Sequence, residues 1–94
     1  MDKAVAYTQS SSKDEAFENA KSQITEEYIA KFNVKADISY DKDAGKIHAT
    51  GKGFELTLEF TDSETQITAK MGMLLKPFKG KVIETIERKL TKYV

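Results

Sequence analysis

Cysteine is absent from the 94-residue chain, and histidine appears once, at His48. The first absence removes disulfides, thiol catalysis and thiolate metal sites together. The second leaves no multi-histidine metal site, so neither a metal nor another cofactor is expected. No run of about 18 apolar residues occurs, so no segment is expected to span a membrane. The stretch Met1–Thr8 lacks the long apolar core of a secretory signal, which makes a cytoplasmic protein the expectation.

What is present is the composition of a folded chain. Apolar residues make up 39% and charged residues 32%, which suits one domain over residues 1–94 with a modest core. The formal net charge is zero, but its distribution is uneven. Residues 1–69 carry 8 Lys/Arg against 13 Asp/Glu, giving −5, whereas residues 70–94 carry 7 against 2, giving +5. The basic excess falls on the last helix and the strand feeding it. It suits either plain solvation of a docked helix or attraction of phosphate and anionic surfaces.

Val5 and Tyr7 alternate weakly and predict a first strand over residues 3–8. Ser10-Ser11-Ser12 ends it, and Ser12-Lys13-Asp14-Glu15 reads as a capping box. No base stands beside the serine triplet to activate a nucleophile. Phe17, Ala20, Ile24 and Tyr28 recur at helical spacing, opposite Glu18, Lys21 and Glu26. One amphipathic helix is therefore predicted from Lys13 to about Phe32, with Asn33 as its left-handed stop.

Four strands follow. Val34, Ala36, Ile38 and Tyr40 alternate with polar residues up to an Asp41-Lys42-Asp43-Ala44-Gly45 turn. Ile47 and Ala49 lead to a reversal at Gly51-Lys52-Gly53, and Phe54, Leu56, Leu58 and Phe60 form the clearest strand. Ile67, Ala69, Met71 and Met73 are the inward set of the last strand. A reversal centred on Asp62-Ser63 opposes Leu58 to Ile67, Leu56 to Ala69 and Phe54 to Met71, with Glu55 facing Lys70 on the other side. Centring the preceding reversal on Gly51-Lys52 opposes Ala49 to Phe54 and Ile47 to Leu56.

The final helix runs from near Lys76 to about Tyr93, with Pro77 in its first turn, where a missing N–H costs nothing. Its apolar stripe is Phe78, Val82, Ile86 and Leu90, with Ile83 beside it. Gly80 costs about 1 kcal/mol against alanine there, which points to close packing on a strand. The fold class is α+β, in the order β-α-β-β-β-β-α. A single antiparallel sheet of order 1-5-4-3-2 carries two helices on one face, similar to a reduced helix-grip fold.

Candidate chemistry is thin. Asp41-x-Asp43-x-Gly45 starts like a calcium loop, but Lys46 and Lys52 replace the glycine and glutamate such a loop needs. Gly51-Lys52-Gly53 connects two strands and lacks the Walker spacing. His48, Glu55 and Glu59 fall on the wet face of the sheet, without the cleft that acid–base work requires. Met71, Met73, Leu74, Leu75 and Phe78 could line a lipid cavity, or simply fill the core.

Leu74-Leu75-Lys76-Pro77-Phe78-Lys79-Gly80-Lys81, followed by Ile83-Glu84, Ile86 and Leu90, resembles the C-terminal block of the polyhydroxyalkanoic acid system family. These are small bacterial proteins associated with polyhydroxyalkanoate granule loci. In that family an LLKPFKG-like turn enters a helix of the form IE-x-x-I-x-x-x-L, which Ile83-Glu84, Glu87 and Leu90 match with approximate spacing, one residue instead of two separating Glu84 from Ile86. Gly51-Lys52-Gly53-Phe54 is similar to the family's glycine-plus-aromatic approach to its central strand, and Ala16, Ala20 and Tyr28 also fit. The hairpin before His48 departs by being more acidic. The resemblance spans most of the chain, is specific over residues 71–90, and implies a pathway and no reaction.

The expected function is therefore that of a non-catalytic protein that binds a storage-granule surface or a granule-associated protein through its basic C-terminal helix. Lys76, Lys79 and Lys81 would supply attraction, and Leu74 and Leu75 apolar contact. The alternative is a carrier of a small apolar ligand, with a pocket between the last helix and the sheet. Nucleic acid is a poor fit, because the remainder is acidic and no aromatic platform interleaves with the lysines. No activated nucleophile or cofactor loop points to an enzyme.

Overall fold

Alternation of apolar and polar side chains builds the fold. The computed structural model describes residues 1–94. Its strands are β1 (Lys3–Ala6), β2 (Ala36–Asp41), β3 (Lys46–Gly51), β4 (Phe54–Phe60) and β5 (Glu64–Met71). They form one sheet in the order β1-β5-β4-β3-β2, antiparallel throughout. The helices are α1 (Lys13–Gln23), α2 (Glu26–Ala30) and α3 (Lys79–Tyr93), the last preceded by a 3-10 turn at Lys76–Phe78.

The hairpin of β4 and β5 pairs Leu58 with Ile67, Leu56 with Ala69, Phe54 with Met71 and Glu55 with Lys70, as the parity of the sequence predicts. The hairpin of β3 and β4 is shifted by two residues from expectation: Ala49 faces Leu56 and Ile47 faces Leu58. The reversal is centred on Lys52-Gly53, because Gly53 takes the positive φ of 71° that the turn requires. A two-residue shift preserves which face each side chain meets, so the core composition is unchanged.

The predicted single helix over residues 13–32 is two helices. Ile24 leaves helical geometry at φ −92°, ψ 81°, and the Thr25 hydroxyl caps α2 by accepting the Tyr28 N–H at 3.1 Å. The bend buries Ile24, Tyr28 and Ile29 together, and Asn33 ends the segment at φ 61°. At the start of α1, Ser12 accepts from the Glu15 N–H at 3.1 Å. Glu15 reaches back to the Ser11 N–H at 2.6 Å, one residue before the cap.

All three helices cover the same apolar face. α3 lies over β1 and β5, α1 crosses β3 and β4, and α2 sits against β2. Phe17 packs edge-to-face on Phe60 at 5.8 Å, while Val82, Ile86 and Leu90 bury the inner stripe of α3. The Val94 carbonyl accepts from the N–H groups of Gln9 and Ser10, at 3.0 and 2.7 Å, and so ties the end of α3 to the segment after β1. Gly80, expected to pack closely on a strand, faces open space: a methyl group there would meet nothing within 4 Å.

Candidate functional site

The junction of β5 and α3 differs from the sequence expectation at Met73 and Phe78. Gly72 N–H donates to the Gly53 carbonyl at 2.8 Å, ending the ladder. The Gly72 carbonyl then accepts from the N–H groups of Leu75 and Lys76, at 3.0 and 2.9 Å. This tight turn lifts Met73 and Leu74 off the sheet, where they stand 90% and 89% exposed. Met73 therefore does not point inward, because β5 has already ended at Met71. Phe78 is 57% exposed and does not join the stripe of Val82, Ile86 and Leu90. It belongs to the 3-10 turn, whose 3.0 residues per turn put it out of phase with the α-helix that follows.

Beside this tip lies an open groove of about 450 Å³. Phe32 and Val34 from the segment between α2 and β2 form one wall, and Leu75, Phe78 and Val82 form the other. Phe54 and Met71, paired across β4 and β5, complete the lining. Lys31 and Lys81 are its charged groups, and no carboxylate lines it. Thr85, also in the lining, is occupied by the helix: its hydroxyl donates to the Lys81 carbonyl at 2.8 Å.

The residues singled out in the sequence do not share one environment. Leu74 is free at the tip, Leu75 is half-buried against the core, and Lys76 is exposed. Lys79 pairs with Asp2 at 3.0 Å, and Lys81 stands exposed at the groove. Asp2 also accepts the Ala69 N–H at 2.8 Å. That hydrogen bond first, and Lys79 second, hold its carboxyl below its ordinary value. Sequence reasoning missed Lys31, Phe32, Asn33 and Val34, which the helix-to-strand crossover brings against α3.

The charge asymmetry along the chain becomes an asymmetry in space. Lys52, in the turn joined to Gly72, and Lys35, whose carbonyl crowds Gly51, lie at the same end of the sheet as Lys31, Lys76 and Lys81. The other end carries Asp41 and Asp43 in one hairpin and Asp62 and Glu64 in the next. The start of α1, with Asp14 and Glu15, is there as well, since the Lys13 side chain approaches Gly45. Apolar tip and basic end coincide.

Elsewhere the side chains are engaged structurally. Asp41 closes its own turn by accepting the Ala44 N–H at 3.1 Å, with Gly45 at φ 66°. His48 sits on the outer face with Nδ1 3.2 Å from the Thr57 hydroxyl oxygen. Tyr28 and Tyr40 bond the carbonyls of Thr85 and Ile24, at 3.3 and 2.8 Å, and burial pushes both phenols up. No group of three or more His, Asp or Glu side chains gathers in a way that could hold a metal ion. No helix is long and apolar enough to cross a membrane.

No curated protein and no solved structure matches the chain. A protein family described as "Putative polyhydroxyalkanoic acid system protein" matches residues 8–94, from the segment after β1 through the groove, the tip and α3. The match takes in the Leu74–Lys81 turn on which the sequence resemblance rests, and the chain belongs to this polyhydroxyalkanoic acid system family.

Proposed function

We propose that the protein is a non-catalytic, cytoplasmic binding component of a polyhydroxyalkanoate storage system, attaching to the granule surface by the tip between β5 and α3. The observation that carries this reading is the adjacency of Met73, Leu74 and Phe78, all largely exposed, to a basic end of the molecule. Large apolar side chains displayed together are costly in water and mark interaction surfaces. Lysines around them add attraction to anionic headgroups or a negatively charged coat. Because Lys79 is paired with Asp2, the attraction rests on Lys76 and Lys81 with Lys31, Lys35 and Lys52.

The test is co-sedimentation of the purified protein with polymer granules, with their protein coat and stripped of it. Wild type pellets with stripped granules, whereas Met73→Glu/Leu74→Glu stays in the supernatant. Pelleting only with coated granules would replace the polymer surface by a granule-associated protein as the partner. Equal pelleting of wild type and variant would end the reading. A second reading, carriage of a small ligand with an apolar body, is favoured by the groove beside the tip.

A further inference from the structure

We propose that the groove between α3 and the segment joining α2 to β2 binds a single-chain aliphatic carboxylate. The chain lies against Phe32, Val34, Phe54 and Phe78, and the carboxylate lies between Lys31 and Lys81. This rests on the second reading above and deepens it by naming the charge, the shape and the orientation of the ligand.

The lining specifies those three properties separately. Its walls are aliphatic and aromatic, and its volume of about 450 Å³ is within the range of small-molecule sites. That volume favours one aliphatic chain over a two-chain lipid. The charged groups of the lining are both lysines, and neither is among the ion pairs of the protein. Those pairs are Lys3 with Glu87, Lys42 with Glu18 and Lys79 with Asp2.

Both lysines are exposed and stay hydrated beside a neutral ligand, which therefore gains nothing from them, and a cation would be repelled. An anion on an apolar chain satisfies the walls and the lysines at once. Asn33, also in the lining, makes no side-chain hydrogen bond within the protein and offers an amide donor to the same headgroup. Phe78, more than half exposed, has the most apolar area to gain by covering a chain.

The experiment is an NMR titration of the full chain with three probes of equal chain length below their micelle concentrations: decanoate, decanol and decyltrimethylammonium. Decanoate is expected to bind saturably and to shift the amides of Phe32, Val34, Phe54 and Phe78. Its affinity should exceed that of decanol at least tenfold, and the cation should not bind. Lys31→Glu/Lys81→Glu should lose at least tenfold for decanoate and leave decanol unchanged. Val34→Trp, which fills the groove, should weaken both, with its fold checked by circular dichroism.

Equal affinities for decanoate and decanol would overturn the carboxylate assignment while leaving the carrier reading in place. Failure of both to bind would end the two together. Shifts confined to Met73 and Leu74 would mean adsorption at the tip and would also overturn the proposal. Met73→Glu/Leu74→Glu should keep the wild-type affinity for decanoate, which separates this site from the apolar tip formed by those two side chains.

Discussion

Replacing Leu74 with glutamate should separate attachment from folding. At 89% exposure the side chain makes almost no contact with the core, so unfolding free energy should change by less than about 0.5 kcal/mol. At a granule surface the same side chain would leave water, a transfer worth about 2 kcal/mol for a leucine. A glutamate near an anionic surface reverses a local attraction of roughly 1 kcal/mol per charge. The sum, about 3 kcal/mol, corresponds to roughly 150-fold weaker attachment. Granule or anionic-vesicle sedimentation over a range of surface concentrations measures that ratio, and urea unfolding measures stability alongside it. Leu90→Ala provides the opposite control: at 1% exposure it should cost about 2–5 kcal/mol of stability, with attachment unchanged where the variant is still folded. Wild-type affinity of Leu74→Glu for granules would refute the reasoning, as would loss of attachment accompanied by an equal loss of stability.

Three further predictions test the structure itself. Gly80→Ala should raise stability by about 0.5–1 kcal/mol, since an added methyl meets nothing within 4 Å and alanine is the better helix former; a fall in Tm would reveal packing the structure does not have. Thr65 is fully buried and its hydroxyl oxygen makes no well-formed hydrogen bond, although the Tyr7 hydroxyl beside it, which donates to the Thr61 carbonyl, keeps lone pairs that can accept from it. Thr65→Val should therefore stabilise by about 1 kcal/mol in urea titration, and a loss would show that the hydroxyl has a partner. The Asp2 carboxyl is lowered by the Ala69 N–H and by Lys79, so its contribution is complete above its ordinary value of 3.8 and is lost as pH falls through the lower folded value. Asp2→Asn should be less stable at neutral pH and should show a shallower loss of stability in acid, whereas an identical acid limb would remove Asp2 from the account.

Much of the fold is legible in the chain because strand periodicity is strict. Phe54, Leu56, Leu58 and Phe60 face inward on β4, and only one pairing with β5 matches apolar to apolar and Glu55 to Lys70 at once. The β3–β4 register was less accessible, since parity alone accepts any even shift. The positive φ at Gly53 chose between the alternatives. The helix break at Thr25 was hidden for a similar reason: its stripe continues through Ile24 to Tyr28 whether or not the backbone bends. Phe78 misled because a 3-10 turn and an α-helix give the same side chain different headings.

The local order of polar and apolar residues thus determined the class of the fold, the inner face of each strand and the basic character of the last segment, whereas the place of β1 beside β5 is a matter of tertiary structure. The family is legible too, in the wording from Leu74 to Lys81. Only the tertiary structure decided which parts of that wording are free. It turned Met73, Leu74 and Phe78 outward, tied Lys79 to Asp2, and set Lys31 and Val34 beside Lys81 across about 50 residues of chain. The reason is that local alternation fixes the direction of a side chain, whereas exposure and neighbourhood depend on where each element stops and what the chain later lays against it.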